Sequence, residues 1–227
     1  SASSIENLSV NAVTASTVDT TLMTGITHIA NNGSLADVTV NGLKSIPTVS
    51  LIATSADTTL AYASATTTVG TADAQTVKLN GAAASSSATL TSNGIESITV
   101  DASGTASGAI TRPVILTSDS LKSVTITGDA ASAISANLTG ATTLDAGSIT
   151  GNDAANTVLL TADAADTISV DLGKGNDVLS ITSISATHTI AAGDGVDSLV
   201  AGTSISATTG ANISGFEVVS AGAVSVT

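Results

Sequence analysis

One short phrase returns along the chain. It consists of a turn residue, a bulky apolar residue, usually a polar residue, then apolar and polar positions in alternation. It reads Ser4-Ile5-Glu6-Asn7-Leu8-Ser9-Val10, then Gly25-Ile26-Thr27-His28-Ile29, then Asn41-Gly42-Leu43-Lys44-Ser45-Ile46. It returns as Asn93-Gly94-Ile95-Glu96-Ser97-Ile98-Thr99-Val100, Ser120-Leu121-Lys122-Ser123-Val124-Thr125-Ile126 and Gly215-Phe216-Glu217-Val218-Val219. Period-two alternation marks a strand with one face buried and one face wet. Ile, Leu and Val are expected to point inward, and Glu, Lys and Ser to water. Ile5 to Ile26 is 21 positions, Leu43 lies 17 further on, and Ile95 to Leu121 is 26. Such intervals describe one coil of roughly 20 residues with loops of variable length. The 52 positions from Leu43 to Ile95 leave room for two or three coils. Helical spacing of long apolar side chains is weak throughout, and a small, polar window such as Gly81 to Thr89 reads as a loop. The expected fold is all-β: a parallel β-solenoid, or β-helix.

Composition sharpens this picture. Hydrophobic residues make up 42% of the 227, yet aromatics only 1%: Tyr62 and Phe216, with no Trp. Aromatic side chains dominate ordinary cores because each buries so much area. A chain without them needs a thin core filled by small aliphatic side chains at short intervals, which stacked coils provide. Thr and Val, stiff at Cβ, favour strands, while 20 glycines with many Asn, Asp and Ser supply turns. Tyr62 and Met23 read as packing residues, and Phe216 as core or as a cap on the last coil.

Charge narrows the partners. Eighteen Asp and Glu face five Lys and Arg, a formal net charge of −13. Nucleic acid is excluded as a natural partner, since phosphate binding needs clustered cations; a surplus of acid favours metal cations. The charge is too dilute, and the mean hydropathy of +0.45 too high, for a disordered acidic tail. There is no cysteine, so neither disulfides nor thiolate metal sites can staple the core. No run of 18 apolar residues could insert in a membrane. No signal peptide stands at Ser1, and the chain starts and stops inside repetitive sequence, so a fragment of a longer protein is expected.

Near Gly147 to Gly151 the composition changes, and Asp and Gly become concentrated and regular. We divide the chain there into residues 1–147, a Ser/Thr/Ala-rich solenoid, and 148–227, expected to continue it. From Gly151 to Val200 a second pattern appears four times: Gly151-Asn152-Asp153-Ala154-Ala155-Asn156-Thr157-Val158, Thr161-Ala162-Asp163-Ala164-Ala165-Asp166-Thr167-Ile168, Leu172-Gly173-Lys174-Gly175-Asn176-Asp177-Val178-Leu179 and Ala192-Gly193-Asp194-Gly195-Val196-Asp197-Ser198-Leu199. Asn156 to Asp177 is 21 positions and Asp177 to Asp197 is 20, so these three can stack on one edge. Asp166 falls halfway, on the opposite edge, with His188 expected in the corresponding slot one coil later. Coils lie about 4.8 Å apart, and stacked carboxylates at that distance repel unless a cation sits between them. Calcium takes six to eight oxygens from carboxylates and carbonyls, a shell that Asp and Gly turns can supply; the octahedral demands of magnesium suit them less. Candidate ligand positions are Asn152, Asn156, Asp163, Asp166, Gly173, Gly175, Asn176, Asp177, Gly193, Asp194, Gly195 and Asp197. The bland alternative is a turn Asp capping its own backbone, and for Asp153, Asp163 and Asp194 a solvated turn acid. His28 and His188 read as surface or strand histidines, and Lys174 as pointing outward.

These turns resemble the Gly-Gly-x-Gly-x-Asp-x-(apolar)-x nonapeptide of RTX proteins, which form a calcium-loaded parallel β-roll. Gly173, Gly175, Asp177 and Leu179 match it, as do Gly193, Gly195, Asp197 and Leu199. Leu172 and Ala192 replace the first Gly. Ala154 and Ala164 replace the fourth-position Gly in the first two copies, and Asn156 replaces Asp. The whole composition is similar to that of RTX-type surface-layer proteins of Gram-negative bacteria, although specific motifs cover only about 50 residues. The resemblance implies type I secretion, folding outside the cell on meeting calcium, and assembly into a two-dimensional lattice of identical copies at the cell surface. An anchor on lipopolysaccharide, where the parent protein has one, is expected outside this fragment. Two alternatives stay open. One is a stalk or adhesin module of a large secreted protein. The other is a polysaccharide-acting β-helix enzyme, disfavoured by dispersed cations (Lys44, Lys78, Arg112, Lys122, Lys174) and the absence of Trp.

Overall fold

Alternating apolar positions, one coil apart, fall on top of one another and draw the chain into two parallel ten-stranded sheets. The computed structural model describes residues 4–63, 68, 70, 72–80, 87–103, 113–138 and 146–221. Every coil gives one strand to each sheet. The first sheet stacks Asn7–Val10, His28–Asn32, Thr48–Ile52, Ala74–Asn80, Ser97–Asp101, Ser123–Thr127, Ala146–Thr150, Thr167–Asp171, Thr189–Ala191 and Ile213–Ser214. The second stacks Ser16–Asp19, Val38–Leu43, Thr58–Tyr62, Ala88–Ser92, Val114–Thr117, Ser132–Asn137, Asn156–Thr161, Val178–Ile181, Ser198–Ala201 and Val218–Ala221. The expected all-β parallel solenoid is the fold observed. We call the turns leading from the first sheet to the second the front edge, and those leading back the back edge.

The core is a set of aliphatic columns. In the first sheet Ile98, Val124, Ile149, Val170, Ile190 and Ile213 lie in register. In the second, Ala88, Val114, Ile134, Val158, Leu179 and Leu199 do the same. All but Ile213 are buried, and the two columns belong to one continuous cluster. Burying each Val, Leu or Ile is worth about 1.5–3 kcal/mol, so many small contributions replace the missing aromatics. Tyr62, Met23 and Phe216 pack against this cluster from its margin. Neither sheet breaks near residue 147: Ser123–Thr127 pairs with Ala146–Thr150, and Ser132–Asn137 with Asn156–Thr161.

Several details differ from the sequence pattern. Leu43 to Ile95 holds two coils, because the loops between them are long. The window at residues 81–89 is not all loop: the strand Ala88–Ser92 takes its last two residues, and 81–86 lie outside the described residues. The Gly215-Phe216-Glu217 phrase opens a strand of the second sheet, whereas its counterpart at Gly94 opens one of the first. A single helical turn, Ala207–Gly210, stands on the back edge, capped reciprocally by Ser206 and Thr209. Among the described residues no helix is long and apolar enough to cross a membrane.

Candidate functional site

The front edge from Gly151 to Glu217 is built by glycines that let successive turns lie directly on one another. Gly173, Gly175 and Gly193 have φ of +90°, +111° and +97°, left-handed backbone that costs residues with a Cβ dearly. The space is closed as well. A Cβ on Gly193 would overlap the Gly173 carbonyl oxygen, and one on Gly175 would come within 2.7 Å of the Ala154 carbonyl carbon. The turns then pair as strands do: Gly175 N–H donates to the Asp194 carbonyl at 2.9 Å, and Asp194 N–H to the Gly173 carbonyl at 3.2 Å.

On this stacked backbone the acids form a ladder. Glu217 Oε2 accepts the Asp197 N–H at 2.7 Å, and Asp197 Oδ1 accepts the Asp177 N–H at 2.7 Å. Asp177 Oδ1 accepts the Asn156 N–H at 2.6 Å, and Asn156 Oδ1 accepts the Ser132 hydroxyl at 3.0 Å. Each side chain thus reaches back one coil to hold a backbone or hydroxyl group. Asp177 and Asp197 are both 0% exposed, and the second carboxylate oxygen of each, Oδ2, is buried without a hydrogen-bond partner. Burial pushes the Asp177 carboxyl up to about 6; the Asn156 N–H pulls it down, and the neighbouring Asp197 charge adds to the rise. Two unit charges one coil apart repel by about 3 kcal/mol at an effective dielectric near 20. Buried carboxylate oxygens without donors call for a proton or a cation.

The other candidate positions divide. Gly173, Gly175, Gly193 and Gly195 bracket the ladder. Asn176 is exposed, and its Oδ1 accepts the Val196 N–H from the next coil at 2.9 Å. Asn152 is buried and serves as a backbone clamp, accepting the Ala154 N–H at 3.0 Å and donating to the Ala130 carbonyl at 3.1 Å. Asp194 and Asp153 are exposed, and Lys174 points outward to meet Asp153 at 3.2 Å. Asp163 and Asp166 sit apart from the ladder, in the back-edge turn before Thr167–Asp171. Asp163 is exposed and caps the Ala165 N–H at 3.1 Å. His188 does not take the slot of Asp166. The pairing of Ser169 with Thr189 sets His188 level with Ile168, and it is buried, with Nε2 3.1 Å from the Asp163 carbonyl. A back-edge loop one residue longer or shorter shifts such a slot, and spacing alone does not reveal it.

Two acids carry roles that the Gly-x-Gly-x-Asp motif misses. Glu217 is the last rung of the ladder; Gly215 before it and the 20-residue interval from Asp197 are the signal for it. Glu96 was expected in water but is 8% exposed, because its Oε2 accepts the Asp73 N–H one coil earlier at 2.9 Å. Among the described residues no three His or acidic side chains gather closely enough to hold a metal by themselves. A cation in the ladder would take the paired carboxylates and complete its shell with turn carbonyls. No family model matches the chain, and comparison with curated proteins and with solved structures finds no significant match.

Proposed function

We propose that this chain is a calcium-dependent structural module of a self-assembling bacterial surface layer. The observation that carries the proposal is the pair of fully buried acids, Asp177 and Asp197, stacked one coil apart, each with one oxygen bound to a backbone N–H and the other without a donor. Calcium accepts hard oxygens in flexible geometry, and the orphan Oδ2 atoms together with the Gly173 and Gly175 carbonyls are oxygens of that kind. When bound, the ion would cancel the repulsion between rungs. The protein's own part is to stack the turns, hold each carboxylate by one N–H, and keep bulk water away. Secretion and an extracellular address belong to the same proposal, because metal binding that completes a fold acts where calcium is abundant.

A coat needs lateral contacts as well as a stable rod. The outer face of the second sheet offers Leu159, Val178, Val200 and Val218, between 37% and 51% exposed, interleaved with Ser180 and Ser220. The sparse cations weigh against a polysaccharide-processing site: Lys78 and Lys174 each pair with an acid, Asp101 and Asp153; Arg112 lies outside the described residues. The deciding experiment is a calcium titration followed by circular dichroism and light scattering, then reversed with a chelator. We expect a gain of β signal followed by growth in particle size, and sheets in electron micrographs. Monomeric rods at saturating calcium would instead favour the stalk alternative. An unchanged spectrum and no bound calcium would overturn the metal-dependent reading altogether.

A further inference from the structure

The back edge of the middle coils holds a second set of buried oxygens, which share no residue with the ladder. Asp73 precedes the strand Ala74–Asn80, and Gln75 is its second residue, so both lie on the face of the chain that looks inward. Asp73 Oδ2 and Gln75 Oε1 are buried with no hydrogen-bond donor. Gln75 is 2% exposed, and its Nε2 donates to the Pro47 carbonyl at 3.1 Å and to the Tyr62 hydroxyl at 3.3 Å. A carbonyl can only accept, so Pro47 fixes which way the amide faces and leaves Oε1, an acceptor, unmet. Glu96 closes over Asp73 from the next coil. Its Oε2 accepts the Asp73 N–H at 2.9 Å, and its own N–H donates to the Asp73 carbonyl at 3.1 Å. The Tyr62 hydroxyl lies 2.8 Å from Ser92 Oγ. Its proton is held more tightly than usual, through burial first and also through the nearby Asp73 charge. Among the described residues neither Asp73 nor Glu96 has a cationic partner.

We propose that Asp73, Gln75 and Glu96 form a second calcium site, on the opposite edge of the solenoid from the Asp177–Asp197 ladder. All the available donors are hard oxygens, two from carboxylates and one from an amide, which suits calcium and disfavours softer metals. Its role is to pin the coil that follows Tyr62 to the coil that begins at Gly94, where the chain lacks the regular glycine turns of the C-terminal ladder. The site goes beyond the ladder reading, and either can fail without the other.

Tyr62 makes the test specific. It is the only tyrosine and the chain has no tryptophan, so terbium, a luminescent stand-in for calcium, excited through the tyrosine band where Phe216 hardly absorbs, is sensitised only when bound near Tyr62. The full chain should show tyrosine-sensitised terbium emission that calcium competes away. Asp177→Asn with Asp197→Asn should leave that emission intact, and Asp73→Asn with Glu96→Gln should abolish it. Absence of sensitised emission from the unaltered chain would overturn the proposal, since a site filled by water gives none. Emission lost with the ladder substitutions but kept with the Asp73 and Glu96 substitutions would overturn it too. Should the latter variant fail to fold, the ladder variant alone still decides: one sensitising terbium per chain sustains the site, and none removes it.

Discussion

The front edge closes its turns in two ways. In the early coils the groups exposed by each turn are met by neutral side chains or by acids open to water. Asn11 Nδ2 donates to the Asn32 carbonyl at 2.7 Å, Ser34 Oγ accepts the Ala12 N–H at 2.9 Å, and the Thr54 hydroxyl donates to the Ser34 carbonyl at 3.1 Å. Asp37 and Asp57, both exposed, accept N–H groups of Asp57 and Thr89 at 3.2 and 2.7 Å. From residue 156 onward the same task falls to Asp177 and Asp197, with no exposure at all. Strands and columns are alike in both regions. The contrast teaches that a thin aliphatic core does not dictate how its turns are closed. The early stretch of this edge is complete by itself, and the late stretch carries buried charge that makes its stability conditional on what neutralises it.

The largest expected difference between the regions is steric. In Gly193→Ala the new methyl meets the Gly173 carbonyl oxygen, part of a backbone that cannot turn aside, at φ +97°. A loss of about 4 kcal/mol is expected, from a strained conformation together with overlap. Gly33, on the same edge in the early region, has φ +65°, but its nearest neighbour is the Asn11 side-chain amide at 3.3 Å, which can move. Gly33→Ala should cost about 1 kcal/mol. Urea unfolding of both variants in calcium compares them; equal losses would mean that the late turns are not closely stacked.

Next in size is a reversal of sign. Asp177→Asn keeps an acceptor for the Asn156 N–H but removes a buried charge. In chelator it should stabilise the protein by about 1 kcal/mol. With calcium at a hundredfold excess over its Kd, loss of the ligand should cost up to about 3 kcal/mol. Asp57→Asn, at an exposed acid, should stay within about 0.5 kcal/mol in both media. A comparable effect follows from the Asp177 carboxyl, raised from an ordinary 3.8 to about 6. Between those values the folded state holds more protons than the unfolded state, so in chelator stability falls as pH rises from about 4 to about 6, then levels off. The full shift corresponds to about 3 kcal/mol, so a drop of roughly 6–12 °C in Tm is expected. On the proposed reading the deprotonated carboxylate is the calcium ligand, so in calcium the slope over the same range should turn upward. Melting curves across pH in the two media check both signs.

Much of this was legible from residue types and intervals. Alternation in Ser97-Ile98-Thr99-Val100 is enough to give a half-buried strand, and near-constant spacing from Asn156 to Asp197 is enough to stack three side chains. What spacing does not carry is the direction in which a polar side chain turns. Glu96 and Glu6 occupy the same place in the repeated phrase; one is buried because the Asp73 N–H lies one coil below it, and the other is exposed. The hydrogen-bond partner of such a residue lies some 20 positions away, in a loop of variable length. His188 moved off its expected slot for that reason, and Glu217 joined a ladder written otherwise in Asp and Asn. Apolar columns tolerate such shifts, since any aliphatic residue fits above another, whereas capping groups depend on one particular register.

The smallest expected effect concerns the one cation inside the acidic turns. Lys174 Nζ lies 3.2 Å from Asp153 Oδ2, one coil away, with side chains 62% and 72% exposed. Solvent screens such a pair, and ordering a long side chain offsets most of the attraction, so Lys174→Ala should change stability by no more than about 0.5 kcal/mol. The variant nonetheless sharpens the contrast between the regions. It removes a positive charge next to Gly175 and three residues from Asp177, which should raise calcium affinity slightly at low salt and leave it unchanged at high salt. A loss of stability of about 2 kcal/mol or more, independent of salt, would mean that the turn is held by this surface pair, and that the buried carboxylates are not its main determinant. Isothermal titration with calcium at two ionic strengths, beside urea unfolding in chelator, separates these outcomes.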